Sequence, residues 1–209
     1  MCIRDRFTSI QPDSTLPIYL IDCPELFHRS ALYTTDHDEH RRFILLQRAV
    51  LETLQRMQFA PDILHCNDWH TALLPLLMKT SYRWDRLFHD TRSVMSIHNI
   101  GYQGVFSASA MHELGIDNIF SHIREEDRMQ GKINWLKEGI VQADAVTTVS
   151  PTYAQEICTP AGGYGLDATL RARNDTIVGI LNGVDYQSWN PLTDSTLPAR
   201  YSVDDLSGK

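Results

Sequence analysis

Two histidines and an aspartate fall within six residues of the stretch ILHCNDWHTALLP, positions 63–75: His65, Asp68 and His70. Imidazoles beside a carboxylate can ligate a divalent metal, relay a proton, or hydrogen-bond a ligand rich in hydroxyls. Two more stretches carry similar chemistry. HNIGYQG, 98–104, supplies His98, Asn99, Tyr102 and Gln103, and LNGVD, 181–185, supplies Asn182 and Asp185. Neutral donors and acceptors outnumber carboxylates across the three, which suits a sugar. Trp69 and Tyr102 could stack on the apolar faces of such a ligand or belong to the core.

Each residue also has a plain structural explanation. His65 sits inside an apolar strand pattern and could be a satisfied, half-buried histidine. Asp68 is a favoured residue for capping the helix that follows. His70 would then lie in the first turn, where a basic group is mildly disfavoured by the macrodipole, so its position calls for a reason. Asn182-Gly183 is a common turn pair. His65, Asp68, His70 and His98 could surround a metal, but the neighbours are amides, and no second carboxylate cluster completes a two-metal clamp. Gly162, Gly163 and Gly165 could cradle a phosphate, yet neither the P-loop lysine nor the G-x-G-x-x-G order is present. G-x-S-x-G is absent, and Ser150 before Pro151 has the pattern of a helix cap.

The elements that must position these groups alternate strand and helix. PIYLIDCP, 17–24, is an apolar run ended by proline and predicts a strand. Over 38–57, Phe43, Leu46, Val50, Leu54 and Met57 recur every three or four residues, one face of a long helix with Asp38 as its cap or first-turn acid. PDILHCND predicts a strand and WHTALLPLLMK a helix that Pro75 must bend or delay. Strands follow at 92–100, 144–150 and 176–185. Helices are expected at 133–144 and from Pro151, a short helix after the glycine-rich 161–165 turn, and a mixed turn and helix over 102–115 with Gly115 as C-cap. The strands are apolar along most of their length, the signature of a parallel sheet covered by helices on both faces, and the right-handed crossover rule makes a Rossmann-like α/β domain the simplest topology. In such sheets ligands bind beyond the carboxyl ends of the strands, where all three polar stretches fall.

Composition narrows the classes further. With 209 residues, 43% of them hydrophobic, the chain can fill a core of one large domain. A formal net charge of -7 argues against a nucleic-acid partner. No apolar run approaches the roughly 20 residues of a membrane span, so no membrane partner is expected. Cys2, Cys23, Cys66 and Cys158 show no metal-binding spacing and suit a reducing, cytoplasmic setting. Residues 1–16 carry no strand or helix pattern and are expected to be an irregular or even foreign leader; 17–190 is expected to be the domain, and 191–209 the start of a segment leading elsewhere.

Taken together, PDILHCNDWHTALLP, IHNIGYQGVF, INWLKEGIVQADAVTTVSPTYAQEI, GYGLD and ILNGVDYQSWNPLTD resemble the glycogen and starch synthases that use a nucleotide-activated glucose. YLIDCPELF and the D-x-x-x-R-F run from Asp38 to Phe43 are similar to the same family. The resemblance covers nearly all of the chain from about residue 18, in five separated motifs in the family's order. It implies a two-domain GT-B glycosyltransferase that moves glucose from ADP-glucose to the non-reducing end of an α-1,4-glucan, retaining the anomeric configuration and needing no metal or other cofactor. It implies that His70 and Asn182 contact the transferring glucose and that Asp68 acts with them. Asn99, Tyr102, Gln103 and Asp38 then fall to substrate binding.

Two departures qualify the resemblance. The family's K-T-G-G loop, whose lysine meets the donor phosphates, does not occur here, and neither does its second domain. By that comparison the chain is most of an N-terminal half whose first strands are missing, inactive without its partner domain in cis. Its setting would be the bacterial cytoplasm or a plastid stroma. Two other functions stay compatible with these residues: a glucosyltransferase with another nucleotide-sugar donor, such as UDP-glucose, and a glucan-binding module without turnover.

Overall fold

A computed structural model describes residues 6–10, 17–34, 36–110, 119, 121–173 and 176–209. The stretch expected to be irregular contains a strand. β1 (Arg6–Ile10) pairs antiparallel with β2 (Ile18–Asp22), Phe7 opposite Ile21, as a ribbon apart from the main sheet. The apolar pattern of IYLID therefore marks a strand, as expected, but a mostly exposed one. After α1 (Pro24–Phe27) the chain crosses to α2 (Glu39–Met57), the long helix that the spacing predicts.

The buried face of α2 is rotated from the predicted one. Phe43, Ile44, Gln47 and Leu51 are buried, Leu46, Val50 and Leu54 only partly so, and Met57 is exposed. A polar residue can occupy the buried face because both ends of its amide are satisfied. The Gln47 Nε2 donates to the Phe43 carbonyl at 3.0 Å, and its Oε1 accepts from the Leu73 N–H at 2.7 Å. Asp38 does not cap the helix through its side chain; its carboxylate pairs instead with Arg29 at 2.9 Å.

Next come β3 (Ile63–Asn67), a 3₁₀ turn (Trp69–Thr71) and α3 (Leu74–Lys79). WHTALLPLLMK is thus not one helix. Pro75 lacks an N–H and fits only the first turn, so the α-helix begins beside it and a tighter turn precedes it. β4 (Arg92–Ile97) is followed by β5 (Val105–Ser107), α4 (Glu125–Met129), β6 (Lys132–Asn134) and α5 (Trp135–Gln142). β5 and β6 pair antiparallel, which places Ile133 in a strand rather than on the predicted helix. Asn134 ends that strand and caps α5 by accepting the Lys137 N–H at 3.0 Å. The predicted C-cap Gly115 lies outside the described residues. β7 (Ala145–Thr148), α6 (Pro151–Glu156), α7 (Asp167–Arg171) and β8 (Ile177–Gly179) complete the order. Ser150 caps α6 as its type suggested, accepting the Tyr153 N–H at 2.9 Å.

The strands β3, β4, β7 and β8 form one parallel sheet in the order β3-β4-β7-β8, which bears out the α/β reading. β4 is the most deeply buried, with Met95 and Ile97 fully enclosed. Along β3 burial alternates, Leu64 and Cys66 inward and Ile63, His65 and Asn67 outward. α5 packs closely against this sheet. A Cβ on Gly139 would lie 2.8 Å from the Ala72 Cβ and 2.9 Å from the Met95 Sδ. The start of β7 is fixed by Asp144, whose Oδ2 accepts from the N–H and the hydroxyl of Ser93 at 2.7 and 2.9 Å. Arg173 donates to the Val141 and Ala143 carbonyls at the end of α5, at 3.0 and 2.7 Å.

Candidate active site

Parallel pairing sends the carboxyl ends of all four strands to one edge. At the end of β3 the chain must turn sharply, and Asp68 takes φ 54° there, a conformation uncommon for a residue with a side chain. That turn swings the Asp68 carboxylate across to the next strand's exit instead of onto the 3₁₀ turn behind it. Its Oδ1 accepts from the backbone N–H of His98 at 2.8 Å and, more weakly, of Asn99 at 3.4 Å. Asp68 is therefore no helix cap. It ties the exit of β4 to the exit of β3, and the strain at its backbone is offset by a charge-assisted contact.

This tie presents His98 and Asn99 on the exposed rim. His98 Nε2 meets Asn67 Oδ1 at 3.0 Å, and the exposed Asn99 accepts the Gly101 N–H through Oδ1 at 2.9 Å. Asn67 is itself held by Thr71, whose hydroxyl accepts its N–H at 2.6 Å. His65 takes its structural role: Nε2 lies 2.6 Å from Ser96 Oγ, which continues to the Thr147 hydroxyl, a polar row across one sheet face.

His70 lies below that rim in an aromatic nest. Its ring centre is 4.1 Å from Trp69, 4.5 Å from Phe43 and 5.3 Å from Tyr33. Its Nε2 is buried without a hydrogen-bond partner. Burial lowers its pKa against the opposing pull of Asp68, so the ring is neutral at ordinary pH. Trp69 is core: it packs on Phe43, Phe106 and Trp135. Gly104, at φ 61°, gives it room, because a Cβ there would stand 2.4 Å from the indole.

The other predicted site residues are distributed unevenly. Gln103 has its amide engaged, donating to the Ile100 and Tyr164 carbonyls at 3.1 and 3.0 Å and accepting from Asn134 Nδ2, so it knits loops together. Tyr102 is 68% exposed and open to a ligand. Asn182 is exposed on the segment after β8. Three inter-strand steps of about 4.8 Å place the exits of β3 and β8 roughly 14 Å apart, and His70 and Asn182 follow these two outer strands. Asp185 is a turn former, accepting the Ser188 hydroxyl at 2.7 Å. Asp38 sits at the start of α2, paired with Arg29 at 2.9 Å.

Of the three glycines, Gly165, at φ 84°, is open, whereas Gly162 and Gly163 make a close-packed turn. Cβ atoms on them would reach the Glu156 carbonyl at 2.3 Å and the Asp167 Cβ at 2.5 Å. Among the described residues no group of three or more His, Cys, Asp or Glu is placed to hold a metal. No helix among them is long and apolar enough to cross a membrane.

Sequence reasoning passed over Tyr33, because no motif marks it; only its ring contact with His70 does. It also passed over a cavity of about 340 Å³ beside the rim, bordered by Gln103, Asp127, Asn134, Lys137 and Tyr164. A larger cavity of about 560 Å³, between Lys79, Arg83, Arg92 and Asp144, opens at the opposite edge, by the amino ends of β4 and β7, away from this chemistry.

Comparison with known proteins agrees with this arrangement. A family profile described as the starch synthase catalytic domain matches residues 4–172. The chain is 42% identical over 204 residues to a glycogen synthase of Thermodesulfovibrio yellowstonii, covering 96% of this chain and 41% of that protein. It is 46% identical over 198 residues to a glycogen synthase of an Anaeromyxobacter species, covering 92% and 41%. Among solved structures, the catalytic domain of starch synthase IV from Arabidopsis thaliana, bound to ADP and acarbose, superposes with a TM-score of 0.77 at 39% identity, over 92% of this chain and 40% of that one. The chain thus spans about two fifths of the length of the relatives it matches. With the profile match extending over most of its residues, the chain belongs to the starch synthase catalytic-domain family.

Proposed function

We propose that this chain forms the sugar-facing wall of a retaining glucosyltransferase that moves glucose from ADP-glucose to the non-reducing end of an α-1,4-glucan. The observation that carries the reading is the Asp68 tie, which holds the exits of β3 and β4 together and sets His98 and Asn99 on the exposed rim. Neutral groups fixed in advance can bind glucose hydroxyls, and contacts that tighten as the sugar takes on oxocarbenium character accelerate transfer. His70 offers a buried, neutral Nε2 that lacks a partner, as a group awaiting a hydroxyl would. Asn182 and Tyr102 serve the far end and the mouth of the same rim, and Asp68 acts by positioning.

The departing diphosphate needs cations or amide donors aimed at it. The rim offers imidazoles, amides and a carboxylate but no lysine or arginine from its motifs, so those donors belong to a second domain in cis, consistent with relatives more than twice this length. Bacterial relatives make the cytoplasm the expected setting; a plastid stroma is the corresponding place in a plant.

The test is transfer of labelled glucose from ADP-glucose, with UDP-glucose alongside, to glycogen, by this chain extended to its relatives' length. Transfer is expected with ADP-glucose, and His98→Ala and His70→Ala are each expected to lower turnover at least about tenfold, a loss of about 1.4 kcal/mol of transition-state stabilisation. Full activity of His70→Ala would leave the sugar contact to His98 alone. No transfer from either donor by the folded protein would overturn the reading.

A further inference from the structure

The D-x-x-x-R-F run has a use that the rim does not explain. Arg42 is 3% exposed and its guanidinium forks. Nη1 lies 2.8 and 2.9 Å from the two Glu39 oxygens, and Nη2 donates to the Leu32 carbonyl at 3.0 Å. Glu39, also buried, accepts the Thr34 hydroxyl at 2.7 Å and the Thr34 N–H at 3.4 Å. One buried ion pair on the first turn of α2 therefore grips the backbone on both sides of Tyr33. Tyr33 is 61% exposed, and its ring lies against His70. The second layer is aromatic as well. The Arg42 guanidinium stands 5.2 Å from the Phe43 ring centre, and Phe43 meets His70 edge-on at 4.5 Å.

Desolvating two charges is expensive, and apolar replacements of such pairs are often neutral or better for stability, so a buried pair is weak evidence of a stabilising role. What this pair supplies is geometry. We propose that Arg42, with Glu39, is a positioning residue: it fixes the 32–34 strap so that Tyr33 and Phe43 clamp the His70 ring and hold its free Nε2 toward the sugar-binding rim. The planar fork matters, because a lysine keeps the charge but cannot hold Glu39 and the Leu32 carbonyl together. The sugar-binding arm of this proposal rests on the glucosyltransferase reading; the strap geometry does not.

The experiment uses the 209-residue chain and four forms: unaltered, Arg42→Lys, Tyr33→Ala and the double variant. The His70 ring-proton shifts, measured by NMR without ligand, report the Tyr33 contact, titration with maltoheptaose reports binding, and urea unfolding reports stability. Arg42→Lys is expected to move the His70 signals toward those of Tyr33→Ala and to weaken maltoheptaose binding about fivefold, while adding little in the Tyr33→Ala background. Its stability loss should be the same in both backgrounds, which a merely structural effect on binding would not match. Unmoved His70 signals in folded Arg42→Lys, or an equal binding loss in both backgrounds, would overturn the proposal. Thr34→Val releases one side of the strap with little disturbance of the core and provides the same comparison should Arg42→Lys not fold. Absence of maltoheptaose binding by the unaltered chain would count against the glucan reading, and the His70 signals would still decide the role of Arg42.

Discussion

Glu138 offers the sharpest test of the packing described above. It lies on α5, 1% exposed, and neither carboxylate oxygen has a hydrogen-bond partner. Burial, reinforced by nearby Asp127 and opposed by Lys137 and Arg124, raises its carboxyl from 4.5 to about 7. Between those values the folded chain holds a proton that the unfolded chain has released. Stability must then fall as pH rises through that window, and stay level below it and above it. At about 1.4 kcal/mol per pH unit, the whole window amounts to about 3 kcal/mol. Glu138→Gln removes the titration and nearly preserves the shape. Urea unfolding followed by tryptophan fluorescence, at about pH 5 and about pH 8, compares the two proteins, and other titrating groups cancel in the difference. The variant should gain about 2.5 kcal/mol on the parent between the two conditions, a relative midpoint shift of about 1 M urea. Parallel pH dependence, within about 0.5 kcal/mol, would mean that Glu138 is solvated or paired in solution and that this part of the packing is wrong.

Other expectations follow from single contacts. Gly139→Ala would gain about 1 kcal/mol of helix propensity on an exposed helix, but here the new methyl meets Ala72 and Met95 below 3 Å. A net loss of at least about 2 kcal/mol in denaturant unfolding is expected, and a stabilised variant would refute the close approach of α5 to the sheet. Burial pushes the Asp144 carboxyl upward, but the Ser93 N–H and hydroxyl, together with nearby Lys79 and Arg92, outweigh it and hold the group below its ordinary 3.8. Asp144→Asn should therefore destabilise at neutral pH, with the difference shrinking as pH falls through the carboxylate range; a constant difference would remove Asp144 as an ionised acceptor. Gly104→Ala must add a Cβ 2.4 Å from Trp69 at a positive φ, so a large loss of the native near-ultraviolet tryptophan signal is expected.

The sequence by itself determined the class of fold and which polar residues fall at the strand ends. Alternation of strand and helix, apolar strands and polar strand ends are local properties, and a parallel sheet turns them into one ligand-binding edge wherever the strands pair. His98 and Asn99, Tyr102 and Asn182 could be named from that logic alone. Some element boundaries were legible too: Pro75 delays α3 and Ser150 caps α6 for reasons contained within a few residues.

What lay beyond the sequence were choices made between distant segments. Asp68 had the spacing of a helix cap, yet its carboxylate crosses to His98 and Asn99, thirty residues on, because a positive φ turns it outward. Asp38 had the same cap pattern and was taken by Arg29. Gln103 and Trp69 had the chemistry to meet a sugar, and the tertiary contacts they make, Gln103 tying loops and Trp69 packing in the core, are not legible from their neighbours along the chain. β1 and Tyr33 carried no local signal at all. Propensity and spacing describe a residue's neighbours along the chain, whereas a carboxylate or an aromatic ring settles on whichever partner the fold brings within reach, and only the packed structure decides which partner that is.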